Sequence, residues 1–265
     1  MMLEIEGIRF SYGDVPVLKQ MSFQAAPGQV IAVLGENGSG KSTLLRTINR
    51  ILTPQGGSVL VEGQSLQRMK PPEIARLMGY LPQKPSEAVF TVFDAVLLGR
   101  APHIRWGVTK HDEEVVLRIL ALLNLEGHAL RSVLELSGGE LQKVFIARAL
   151  AQEPTILLLD EPINHLDVKN QIDVMETLRR VTADLAVVSL VVLHDINNAL
   201  RFADRFVLIK SGEIVAFGGP EVITPATMRT LYNLDVMVTA IDGVPVVVPR
   251  TNGKSAALGR PGISH

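Results

Sequence analysis

The chain has 265 residues, 47% of them hydrophobic and 20% charged, with 26 Lys and Arg against 27 Asp and Glu and a formal net charge of −1. This balance predicts a globular protein with a substantial core, in one large α/β domain or two small ones, and excludes a basic surface that would draw the whole molecule onto nucleic acid or anionic lipid. With no cysteine in the chain, disulfides, thiolate metal sites and a cysteine nucleophile are excluded as well.

The opening MMLEIEGIRF carries acidic residues and no long apolar run, so it predicts a strand and not a signal peptide. LEIEGIRF and VLKQMSFQAA form a β-rich edge, and QVIAVL (29–34) is a short buried strand that feeds straight into a glycine loop. KSTLLRTINRIL then predicts a helix and GGSVLVEG a strand. From about 71 to 134 the pattern is mostly helical, through PPEIARLM, TVFDAVLLGR and HDEEVVLRILALLNL, which places a helical insertion at about 84–152.

Strands and helices then alternate: TILLLD, a helix over VKNQIDVMETLRRV, LAVVSLVVL, a helix over INNALRFA, and a hairpin in DRFVLIKSGEIVAFG turning at Ser211-Gly212. A second hairpin is expected in DVMVTAIDGVPVVV at Asp242-Gly243, followed by a polar, flexible tail over 251–265. Apolar strands between helices predict a mostly parallel sheet covered on both faces, in a single domain spanning 1–250. The longest apolar run, LAVVSLVVL at 185–193, is far shorter than the ~20 residues that cross a bilayer.

GENGSGKST fits G-x-x-x-x-G-K-[ST], with Gly35, Gly40, Lys41 and Ser42 in the defining places and Thr43 closing the loop. Its context, after a strand and opening a helix, is the one the motif requires. Backbone N–H groups of Asn37, Gly38, Ser39, Gly40 and Lys41 are expected to curl around a triphosphate, Lys41 to neutralise its β- and γ-phosphates, and Ser42 to ligate Mg²⁺. At the end of ILLLDE, Asp160 is placed to hold Mg²⁺ through water and Glu161 to act as general base towards an attacking water. TKHD (109–112) matches a guanine-reading [NT]-K-x-D by letters but leads into a helix instead of following a buried strand, and GKS (253–255) lacks the first glycine of a phosphate loop. LSGGE (136–140) is a second backbone nest at a helix start, suited to an anion.

On GENGSGKST, LSGGE, ILLLDE, NHLD (164–167), His194 in VVLHD, Gln83 in GYLPQ and Tyr12 in FSYG, the chain resembles the ATP-binding-cassette ATPases from about Met2 to the C-terminal hairpin. The resemblance implies a P-loop NTPase core with an N-terminal antiparallel β subdomain and a helical insertion, using ATP and Mg²⁺. It implies catalysis by Glu161 with His194 as switch histidine, Tyr12 stacked on adenine, and Gln83 joining the core to the insertion and reaching the metal. Ser137, Gly138, Gly139 and Glu140 of one copy would cap the nucleotide of a second, head-to-tail copy, with Asp167 in the dimer-contacting loop. Glu140, Leu141 and Asn164-His165 depart from the family's commonest wording and leave the catalytic set whole; His165 is taken as polar packing at the interface.

TVFDAVLLGRAPH (91–103) resembles the segment that docks on the membrane subunit in importers of iron-siderophore complexes, haem and cobalamin, which implies that Leu98 and Arg100 lie on a docking surface. The partners so implied are a second copy, polytopic permease subunits and, indirectly, an extracytoplasmic substrate-binding protein, with no nucleic acid, at the cytoplasmic face of the cell membrane. Import of molybdate or another metal species stays open, as does a soluble cassette ATPase acting on ribosomes or DNA. That last class carries two cassettes or a long coiled-coil insertion, and neither is present here. The cargo is not written in this chain, because specificity resides in the membrane and binding subunits.

Overall fold

The computed structural model describes residues 2–83 and 90–250. The chain runs β1 (Leu3–Tyr12), β2 (Val15–Ala25), β3 (Val30–Leu34), α1 (Lys41–Ile48), β4 (Gly56–Val61), β5 (Gln64–Ser65), α2 (Pro71–Leu77) and β6 (Met78–Leu81). It continues through α3 (Val92–Leu97), α4 (Lys110–Leu122), α5 (Gly138–Leu150), β7 (Ile156–Asp160), α6 (Val168–Asp184), β8 (Val188–Val192) and α7 (Ile196–Phe202). The hairpin β9 (Arg205–Lys210) and β10 (Glu213–Gly218), α8 (Pro225–Tyr232) and the hairpin β11 (Val236–Ile241) and β12 (Val244–Pro249) complete it.

The central sheet has the order β10-β9-β3-β8-β7-β6, parallel except for β10, which returns antiparallel from β9. β3, β7 and β8 are buried along their whole length, because both faces are covered. Side chains alternate across β3: Val30, Ala32 and Leu34 join the core under α3 to α7, while Ile31 and Val33 join the core under α1 and the four-stranded antiparallel sheet β2-β1-β4-β5. Each fully buried aliphatic side chain contributes about 1.5–3 kcal/mol, so two cores sharing one sheet hold the strand ends, and the loops they carry, in fixed relation. The only polar side chain within β8, Ser189, is satisfied by Thr182 at 2.7 Å.

Several boundaries differ from the sequence expectation. α1 stops at Ile48, and Arg50 turns left-handed (φ 57°), so Ile51 and Leu52 lie outside the helix. MGYL, inside a stretch read as mostly helical, is the edge strand β6 paired with β7. LAVVSLVVL divides: Leu185 caps α6, Ala186 is left-handed, and the strand starts at Val188. α8 was not anticipated; it starts at a Thr224/Thr227 capping box with Pro225 in its first turn. TKHD is a helix start as expected, with Thr109 and Asp112 forming the capping box of α4. The expected beginning of the insertion at 84 and the tail 251–265 lie outside the described residues.

Candidate active site

The loop between β3 and α1 is built by close approach. A Cβ on Gly35 would lie 2.2 Å from the Ile209 carbonyl oxygen, and Gly40, left-handed at φ 105°, leaves only 3.0 Å to Val17 and Leu18. Any other residue would push the loop off the sheet edge. Lys41, 5% exposed, folds back over this loop and donates to the carbonyls of Gly35 and Glu36, both at 2.9 Å. Burial lowers its pKa, opposed by the charges of Glu161 and Asp160.

Ser42 Oγ donates to Asp160 Oδ1 at 2.9 Å, while Asp160 Oδ2 is buried with no partner. Burial raises the Asp160 pKa above the usual carboxylate range, against the Ser42 hydrogen bond. An unsatisfied buried carboxylate oxygen beside a hydroxyl is costly by itself and fits a hard divalent cation, so the residues present suit Mg²⁺.

Glu161 follows β7 in a left-handed conformation (φ 57°) that turns its carboxylate back into the cleft. Three elements meet on it. Gln83, just past β6, donates to Oε2 at 2.6 Å; Asn164, in the loop after β7, also donates to Oε2; and His194 Nε2, just past β8, lies 2.6 Å from Oε1. A cleft of about 650 Å³ holds this cluster together with Tyr12, Asn37, Gly38, Gly40, Lys41, Ser42 and Thr43. Tyr12, 48% exposed, ends β1 at the cleft and packs edge-on against Phe10, with ring centroids 4.9 Å apart. Ser39 sits beneath the loop with its hydroxyl buried and unpartnered.

LSGGE lies apart from these residues and does not line that cleft. Ser137 caps α5 while its N–H and Oγ donate to Glu140 Oε2 at 2.8 and 2.7 Å, and Glu140 N–H returns to Ser137 Oγ at 3.4 Å. Hydrogen bonds from Ser137, backbone first, lower the Glu140 pKa, and His128 adds a contact at 3.4 Å. The Glu140 carboxylate is therefore committed to the helix start, and it is the exposed Ser137-Gly138 turn that faces outward. Asp167 caps α6 through Asn170, which also abuts Gly139 so closely that a Cβ there would lie 2.6 Å from Asn170 Oδ1. The signature turn and the Asp167 loop are thus braced on one surface.

His165 lines the cleft, and Asn164 beside it contacts Glu161 directly. One expectation changes. Arg100 is not on a docking surface: it is 2% exposed, with Nε 3.0 Å from Asp112 Oδ1 and Nη1 2.9 Å from Glu153 Oε2 and 2.8 Å from the Ala151 carbonyl. The reason is the 3-10 turn Leu98–Arg100, which presses Gly99 against the Arg148 carbonyl and aims the guanidinium at the end of α5. Leu98, 49% exposed, does lie outside.

A phosphate loop, a strand-end carboxylate pair and a detached second nest on one domain match a known protein pattern: the family model described as ABC transporter covers residues 18–164. The chain belongs to the ABC transporter family. An uncharacterized ABC transporter ATP-binding protein of Methanocaldococcus jannaschii is 48% identical over 94% of this chain and 98% of its own length. The ferric enterobactin transport ATP-binding protein of Escherichia coli is 38% identical over 92% of each chain, and the hemin import ATP-binding protein of Pseudomonas putida is 40% identical over 94% of this chain and all of its own. Among solved structures, a chain described as belonging to an inward-facing metal-chelate type ABC transporter superimposes with a TM-score of 0.82 at 30% identity, covering 94% of this chain and 97% of the other. A dimeric bacterial ABC transporter cassette gives 0.71 at 28% identity, covering 82% and 98%. As an ABC transporter ATP-binding subunit the protein is an ATPase, and no helix among the described residues is long and apolar enough to cross a membrane.

Proposed function

We propose that this ATPase drives an importer of an iron chelate, haem or a related metal-bearing cargo such as cobalamin, as one of two identical cassettes under polytopic permease subunits at the cytoplasmic face of the membrane. The observation that carries the chemistry is the Glu161 carboxylate, gathered by Gln83, Asn164 and His194 beside Lys41. The relatives named for ferric enterobactin and hemin import support the cargo class. A substrate-binding protein outside the membrane completes this reading.

In the proposed mechanism Tyr12 stacks on the adenine, the N–H groups of Asn37 to Lys41 and the Lys41 ammonium hold the phosphates, and Ser42, Asp160 and Gln83 would hold Mg²⁺. The cation supplies neutralisation of phosphate charge. Glu161 accepts the proton of a water whose oxygen attacks the γ-phosphorus as the bond from that phosphorus to the β,γ-bridging oxygen breaks, giving inorganic phosphate and ADP, and His194 orients the base. Ser137, Gly138 and Gly139 of the second copy close the site from outside, with Asp167 at the contact. Gln83 lies at once on Glu161 and ahead of the 91–103 segment, whose exposed Leu98 docks on the permease.

The test is uptake. With its membrane subunits in liposomes, the protein is expected to drive ATP-dependent accumulation of a ferric chelate, haem or cobalamin. Accumulation of molybdate alone, or ATP hydrolysis without uptake of any of these, contradicts the cargo assignment.

A further inference from the structure

The C-terminal hairpin has two unlike faces. Directly opposed pairs alternate along it, so Val236/Pro249, Val238/Val247 and Ala240/Pro245 share one face, and Met237/Val248, Thr239/Val246 and Ile241/Val244 share the other. The first face is the inner one, with Val236 and Val247 each 4% exposed, and the edge of β12 is fastened to α7 by Asn197, whose amide accepts from Val247 N–H at 2.8 Å and donates to its carbonyl at 3.3 Å. The outer face is apolar except for Thr239, yet Met237 is 43%, Ile241 58%, Val244 41% and Val248 39% exposed. Side chains of this kind on a solvated strand face are normally polar, and a contiguous apolar patch marks a contact surface.

We propose that this outer face is a contact between two copies of the chain, separate from the nucleotide sites. The inference rests on the paired-cassette reading above, because α7 begins two residues after His194 and so fastens the hairpin beside the cleft that the second copy closes. Charge selects the arrangement. At the open end Asp235 is already paired with Arg229, at 2.5 Å, which leaves Arg250 as the charge there, while Asp242 marks the turn. A two-fold axis along the strands would set Asp242 against Asp242. An axis across the strands, through the Thr239/Val246 pair, instead lays each strand over its own counterpart, which stacks Ile241 on Met237 and Val244 on Val248, brings the two Thr239 side chains face to face, and carries each Asp242 to the other copy's open end, over β11 and one strand spacing from Arg250. Both copies use the same patch, so the contact closes on itself.

The absence of cysteine from the chain makes the test direct. Thr239→Cys is expected to cross-link to its counterpart under mild oxidation, without nucleotide. In sedimentation, Asp242→Arg is expected to weaken nucleotide-free association at least about tenfold, and adding Arg250→Asp to it to restore most of the loss. Recovery in the double variant separates the contact from misfolding, as does unchanged ATP affinity. No cross-link together with equal association of single and double variants overturns the proposal, and so does a patch that proves to bind only the permease. ATP-driven dimerisation of Glu161→Gln is the independent control. If that dimer forms while Thr239→Cys does not cross-link, the hairpin contact alone fails; if Thr239→Cys cross-links while ATP drives no dimer, the paired-site reading fails and the contact stands.

Discussion

At the residue scale the proposed mechanism rests on Glu161. Its left-handed backbone and its neighbours turn an ordinary strand-end carboxylate into a positioned one. Glu161→Gln preserves volume and a carbonyl oxygen for Gln83 while removing the base, so ATP affinity is expected to hold and phosphate release to fall by a factor on the order of 10²–10⁴. Near-normal release would remove Glu161 from the role of base. Lys41→Ala is expected to weaken ATP binding itself in a titration, because it deletes the cation buried in the loop. Lys41 and Ser42 were legible because glycines, lysine and serine stand at a fixed spacing between a strand and a helix, and Asp160 and Glu161 because they end an apolar strand. Asn164 was not, since a turn residue three positions beyond Glu161 has no periodicity to betray where its amide points. Arg100 misled for a related reason: in a 3-10 turn one residue decides between solvent and core, and only the position of α5 shows that the core wins.

At the scale of elements, α5 runs from the Ser137 cap at its start to the buried Arg100 cluster at its finish. Leu98→Asp is expected to impair assembly with the permease and transport while leaving the isolated subunit's ATP affinity unchanged. Arg100→Glu is expected instead to destabilise the subunit by about 3–5 kcal/mol, because it leaves buried Asp112 facing a second negative charge. A denaturation midpoint unchanged in Arg100→Glu would contradict the buried pair. The same cluster predicts an acid limit. Hydrogen bonding from the Thr109 hydroxyl, with further help from Arg100, holds Asp112 down at about 2. Its stabilisation, on the order of 2 kcal/mol, is therefore complete above the ordinary carboxylate range near pH 4 and is lost as the pH falls towards 2. Asp112→Asn is expected to flatten that part of the stability profile; an unchanged acid limb would count against it. Long periodic helices and apolar parallel strands were readable from sequence, whereas β6 was not. Four residues directly after a helix are too few to show a period of two, and it is pairing with β7 that makes them a strand.

The whole molecule presents a cleft, the proposed nucleotide site, lined by one set of residues, and outside that lining the Ser137-Gly138 turn, braced to the Asp167 loop. Glu140 already serves the Ser137 end of this helix start, and the exposed Ser137-Gly138 turn beside it is where a second copy would bring its phosphate. The sequence pattern marks both glycine-rich helix starts, and the fold adds that the Ser137 turn is absent from the lining of the cleft at Lys41. The most direct measurement is ATP-driven dimerisation of Glu161→Gln on a sizing column, with and without Ser137→Arg. The account predicts a dimer with ATP that disappears when Ser137→Arg is added while ATP affinity of the single chain persists; a dimer that survives Ser137→Arg would contradict it.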